Sequence, residues 1–132
     1  MKPLIIKGTE YSPQITFNPK LLKFEISGES RPEDAGKLYG LALRWLEEYF
    51  SEITNAKESR QPLQIRFEFN LQYFNTVSAK YVLEILRILH FSNSEGADII
   101  VRWYYKAKDE DMKESGEEFA KLINIPFEFI QL

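Results

Sequence analysis

The 132 residues carry few side chains able to do covalent chemistry. Cysteine is absent, which excludes thiolate nucleophiles, thiolate zinc sites and disulfides. The lone histidine, His90, excludes a poly-His metal centre within one chain, and no serine or aspartate is tied to it by a nucleophile motif. Asp109-Glu110-Asp111, with Glu114, Glu117 and Glu118, lacks the fixed ligand offsets and central glycine of a calcium loop. Acidic residues in a first helical turn complement the helix dipole instead. No phosphate-cradling glycine loop occurs. The expectation is a protein that is not an enzyme, with no catalytic residue, metal or cofactor. What remains is one run of hydroxyl and amide side chains, Tyr73-Phe74-Asn75-Thr76-Val77-Ser78-Ala79-Lys80.

That run falls between a strand and a helix, and sites in open α/β sheets gather at the carboxyl ends of strands. Thr76 occupies the place where a helix N-cap belongs, ahead of unpaired backbone N–H groups. Capping is the structural role of such a threonine; phosphorylation is the functional one. A phosphate there adds about −1.5 to −2 charges, facing helix amides with Lys80 one turn on. Ser78 is the alternative acceptor, and Tyr73, Asn75, Ser78 and Lys80 are the expected partner contacts around the switch. A second possibility is a ligand or substrate pocket at the strand ends, with Tyr73, Asn75, Ser78 and Tyr105 as its polar contacts. A third is a constitutive docking module that is never modified.

The elements that position this run are legible in the hydropathy pattern. Leu4–Lys7, Ile15–Phe17 and Leu22–Ser27 read as short strands, with Pro13, Asn18-Pro19 and Gly28 as turns between them. Leu38, Leu41, Ala42, Trp45, Tyr49 and Ile53 recur at helical spacing, and Ser30 with Glu33 has the spacing of a capping box. Gly36 and Gly40 inside that helix read as points of close packing on the sheet. Asn55 to Pro62 is the longest loop candidate. Leu63 to Leu71 alternates strictly between apolar and polar, so one face of that strand is buried and the other wet. A helix from Thr76 to Phe91, a strand from Ile99 to Lys106, a helix from Asp109 to Ile123 and a strand from Pro126 to Ile130 complete the order βββαβαβαβ.

Strands joined through helices pair in parallel by right-handed crossovers. A doubly wound sheet would make its strands apolar on both faces, which Leu63–Leu71 is not. The fold class is therefore α/β: a two-layer domain over residues 1–132, with a mixed sheet and its helices mainly on one face. Arg66, Glu68, Asn70, Arg102, Tyr104 and Lys106 would line the helix-free face as solvated residues. A net charge of −3 gives no basic field for nucleic acid. The apolar run Leu4-Ile5-Ile6 is too short for a signal peptide or membrane span, so the expected location is the cytoplasm.

The chain resembles a known family. The resemblance runs through Gly8-Thr9, Ser12-Pro13 and Ile15, then Gly28, Ser30 and Pro32-Glu33, then Leu38, Gly40 and Trp45-Leu46. It continues in Tyr73, Asn75-Thr76, Ser78 and Lys80, in Val101-x-Trp103-x-Tyr105, and in Pro126-Phe127. These residues are similar in order and spacing to the SiaC family of bacterial regulatory phosphoproteins. The resemblance implies a fold like that of STAS domains, the anti-sigma-factor-antagonist type. It also implies a partner-switching module with a cognate Ser/Thr protein kinase, a PP2C-type phosphatase and a diguanylate cyclase or other signalling protein. The family's phosphothreonine falls on Thr76. Where the family pattern continues Thr-Ser-Ser, this chain has Thr76-Val77-Ser78, so the acceptor is kept and one neighbouring hydroxyl is lost.

Overall fold

The computed structural model describes residues 1–55 and 64–132. Six strands form one sheet in sequence order: β1 (Leu4–Ile6), β2 (Gln14–Asn18), β3 (Lys23–Ser30), β4 (Gln64–Phe74), β5 (Asp98–Tyr105) and β6 (Phe127–Gln131). The β1–β2 and β2–β3 pairs are antiparallel, and β3–β4, β4–β5 and β5–β6 are parallel. Helices α1 (Ala35–Asn55), α2 (Thr76–Ser94) and α3 (Glu110–Leu122) make the parallel crossovers. The mixed sheet, helix order and wet face match the architecture expected from the sequence. The loop candidate from Asn55 and the first residue of the Leu63–Leu71 strand lie outside the described residues, apart from Asn55, which ends α1.

Alternation decides which face the helices cover. Phe24 and Ile26 on β3, Ile65, Phe67, Phe69 and Leu71 on β4, and Ile99, Val101 and Trp103 on β5 are all buried. Aromatic rings dominate this layer. Phe17 and Phe24 pack on Trp45 and Tyr49 of α1, and Trp103 packs on Phe119 of α3 with centroids 5.6 Å apart. Offset and tilted ring pairs at such distances add to the area they bury.

Five expectations fail locally. Leu22 lies in the turn after β2 with φ 51° and is exposed, because Asn18 Oδ1 accepts from the Lys20 and Leu21 amides and closes that turn. Gly28 lies within β3 at φ 92°, not in a turn after it. Ser30 does not cap α1; it ends β3 fully buried, and Asp34 Oδ1 accepts from the Lys37 amide instead. The buried stripe of α1 is Ala35, Tyr39, Ala42, Trp45, Leu46, Tyr49 and Phe50, while Leu41 is exposed. Tyr39 is fully buried, with its hydroxyl 2.6 Å from Ser30 Oγ. Gly36 faces the Tyr81 hydroxyl of α2 and Gly40 faces open space, so neither serves close packing on the sheet. Among the described residues no helix is long and apolar enough to cross a membrane.

Candidate functional site

The site is built where β4 runs into α2. The pairing of β3 with β4 shifts there: Gly28 is opposite Leu71, and Glu29 is opposite Tyr73, so Gln72 is an extra residue. Such a bulge reverses the alternation of everything after it. Phe74 thus turns inward, 6.1 Å from both Trp103 and Phe119, and Tyr73 turns out to solvent. The positive φ of Gly28, across from the bulge, is a backbone conformation that a side chain would strain.

Asn75, not Thr76, is the N-cap of α2: its side chain accepts from the Ser78 amide at 2.9 Å, and its carbonyl accepts from the Ala79 amide. Thr76 is displaced from the expected cap to the first helical position. There its hydroxyl is relieved of capping and its side chain is exposed. Val77 (49 % exposed) and Tyr73 (47 % exposed) flank it, and Lys80 lies exposed one turn further on the same helix face. Ser78 points the other way and is fully buried. Its hydroxyl donates to the Ser30 carbonyl and accepts from the Ser30 hydroxyl. Of the residues expected around the switch, Tyr73, Thr76 and Lys80 form one exposed corner. Asn75 and Ser78 are engaged internally, and a kinase would reach Ser78 only after the turn opened.

Four residues whose place here sequence reasoning missed join this corner. The Ser30 carbonyl accepts from the Asn75 amide, which brings the end of β3 against the start of α2. Arg31, next in the chain, stacks over Tyr11 at 4.4 Å and pairs with Glu29 at 3.3 Å. Glu29 is the sheet neighbour of Tyr73. No local signal marks these contacts, since Tyr11 and Arg31 lie far from Thr76 in sequence. The pocket reading fares differently: two of its four polar contacts, Asn75 and Ser78, already have internal partners. A described groove of about 550 Å³ lies at the far end of α2, among Phe50, Arg87 and Phe91.

Other candidate groups are structural. His90 Nδ1 lies 2.9 Å from the Asn124 carbonyl, so it donates there. Asp109 caps α3, accepting from the Met112 amide, with Glu110 and Asp111 in the first turn. On the helix-free face β4 and β5 bring Glu68, Arg102 and Tyr104 together, joined by Lys23, Glu25 and Glu128. The Tyr104 hydroxyl donates to Glu68. Desolvation first, then the hydrogen bond to Glu68 and the charge of Glu68, push the Tyr104 pKa up to about 12. The folded value lies above the unfolded one, so the stability linked to the neutral Tyr104 hydroxyl is fully present below about pH 10. Its contribution is lost as pH rises from there through about 12. A tyrosinate absorbance titration of wild type minus Tyr104→Phe is expected to show one group ionising near 12. A difference curve centred near the ordinary tyrosine range would refute this desolvated, Glu68-bonded environment.

A mixed six-stranded sheet covered on one face by three helices, with an exposed threonine opening the helix after a central strand, defines a two-layer domain of the STAS-like type. Residues 6–132 match the SiaC family regulatory phosphoprotein, and the chain belongs to that family. An uncharacterised protein of Pseudomonas aeruginosa strain UCBPP-PA14 is 29 % identical over 127 residues, covering 96 % of this chain and 94 % of that one. The crystal structure of apo-SiaC from P. aeruginosa is similar at TM-score 0.81 and 28 % identity, over 98 % of this chain and 99 % of that one. So is a chain in the crystal structure of the P. aeruginosa diguanylate cyclase SiaD in complex with its activator SiaC, at TM-score 0.83 and 28 % identity, with the same coverage.

Proposed function

We propose that this protein is a non-enzymatic, phosphorylation-switched adaptor whose unmodified form binds and promotes a diguanylate cyclase. A cognate kinase transfers the γ-phosphoryl group of ATP to Thr76 Oγ1; ADP leaves and the hydroxyl proton passes to the kinase. A PP2C-type phosphatase returns the threonine by hydrolysis. One observation carries this reading: in the turn that opens α2, Thr76 is exposed and free of the capping role, whereas the neighbouring Ser78 hydroxyl is sealed. Membership of a family of regulatory phosphoproteins supports it, as does the pairing of the relative SiaC with SiaD.

Incubation with the cognate kinase and ATP, followed by peptide mass spectrometry, is expected to place one phosphate on Thr76. Phosphate elsewhere, or nowhere, would overturn the switch. Because Asn75 is the cap, Thr76→Ala is expected to change stability by less than about 0.5 kcal/mol, as exposed substitutions do. Asn75→Ala should lose about 1 kcal/mol. Urea unfolding of both variants checks this, and a larger loss for Thr76→Ala would mean that Thr76 is chiefly structural.

A further inference from the structure

Three hydroxyls lie beneath the first turn of α2: Ser30, Tyr39 and Ser78, all fully buried. Ser30, Ser78 and Ser92 are the buried polar residues among those described, so two of the three gather at this one place. Their protons have a single consistent order. Ser78 Oγ donates to the Ser30 carbonyl at 2.9 Å, and Ser30 Oγ donates to Ser78 Oγ at 2.8 Å. Tyr39, 2.6 Å from Ser30 Oγ, must therefore be the donor to it. The relay runs from α1 through β3 to α2 and ends on the carbonyl that also accepts from the Asn75 amide.

Apolar groups of the same shape would fill this space about as stably. What hydroxyls add is direction, because in a low dielectric every arrangement that breaks one bond strands a polar atom. Tyr39 also stacks on Tyr81, one turn along α2 from Ser78, with centroids 5.3 Å apart and planes within 3°.

We propose that this relay is a positioning latch, with Tyr39 its remote positioning residue. It holds the turn from Asn75 to Ser78 on the end of β3 and so sets the pose in which Thr76 meets its modifying enzymes. The second half of that statement rests on the Thr76 reading above; the first does not.

The triple variant Ser30→Ala/Tyr39→Phe/Ser78→Ala removes all three hydroxyls together and strands no buried donor. Its urea midpoint is expected to stay near wild type. Amide hydrogen exchange at Ser78, Ala79 and Lys80 is expected to quicken about tenfold relative to Ile85–Leu89, equivalent to ~1.4 kcal/mol of lost protection. With the cognate kinase, kcat at Thr76 should fall while KM stays nearly unchanged, since Thr76 remains exposed and only its pose loosens. Tyr39→Phe alone should shift exchange in the same direction by a smaller factor, and it decides the matter if the triple variant does not fold. Wild-type exchange at these amides in a folded variant overturns the latch. Faster exchange with an unchanged kinase rate overturns its positioning role. If wild type accepts no phosphate at Thr76, the functional reading falls, and the exchange measurement still decides the latch.

Discussion

A chain phosphorylated on Thr76, the proposed switch, is expected to bind a diguanylate cyclase partner at least about a hundredfold more weakly than the unmodified chain. A hundredfold is only about 2.7 kcal/mol, and the local geometry makes that a modest demand. Thr76 sits between Tyr73 and Val77, each about half exposed, which are the apolar side chains at this corner that a docking partner would cover. A phosphate brings about −1.5 to −2 charges and three strongly hydrated oxygens. In the free protein these cause little strain, because they lie at a helix N-terminus with Lys80 one turn away. Under a partner they must lose water, and the contact made to Tyr73 and Val77 turns unfavourable. Calorimetric titration of homogeneous phosphorylated and unmodified chains against the cyclase measures the ratio. Equal affinities would leave a constitutive docking module. Thr76→Glu carries a single charge and should fall between the two.

The same substitution at two helical glycines is expected to act in opposite directions. Gly40 of α1 has nothing within 4 Å of an added Cβ, so Gly40→Ala should stabilise by about 1 kcal/mol through helix propensity alone. In Gly116 of α3 an added Cβ would lie 2.5 Å from Trp103 Cδ1 and 2.6 Å from Nε1. Trp103 cannot move aside easily. It is fully buried against Phe69 and Phe119, and its indole N–H donates to the Met112 carbonyl at 2.9 Å on the same helix. Overpacking a filled core costs roughly 1–3 kcal/mol. With three indole atoms inside contact distance the upper end applies, and the propensity gain offsets only about 1 kcal/mol of it. Gly116→Ala should therefore lose about 2 kcal/mol, and the two variants should melt on the order of 10 °C apart. Thermal unfolding followed by circular dichroism checks this; a Gly116→Ala protein at least as stable as wild type would show that α3 can lift off Trp103.

Particular residues show how far the sequence could be read. From Ile65 to Leu71 the alternation predicts which side chains are buried, because a strand with one wet face writes its pleat directly into polarity. The pattern then stops being informative, since the extra residue Gln72 carries no mark of its own and is visible only against its neighbour β3. The α1 stripe was legible in Ala42, Trp45 and Tyr49, which are buried, and in Leu38 and Ile53, which pack at its edge; Leu41 is exposed, and Tyr39, which the pattern did not mark, is buried beside Ser30. Ser30 and Glu33 match a capping box perfectly in spacing. That match is misleading because Ser30 is needed 48 residues away, at Ser78.

The sequence by itself determined the class of protein. Local periodicity and turn chemistry fix element type, the missing cysteines exclude thiolate chemistry, and Thr76 stands out as a hydroxyl between strand and helix. Only the tertiary structure decided where that hydroxyl stands. It assigned capping to Asn75, buried Ser78, and turned Tyr73 and Thr76 to solvent through a bulge against Gly28. The physical reason is that burial and hydrogen-bond partnership are relations between residues distant in the chain. A serine has the same composition whether it is sealed under a helix or offered to a kinase, and only its neighbours distinguish the two.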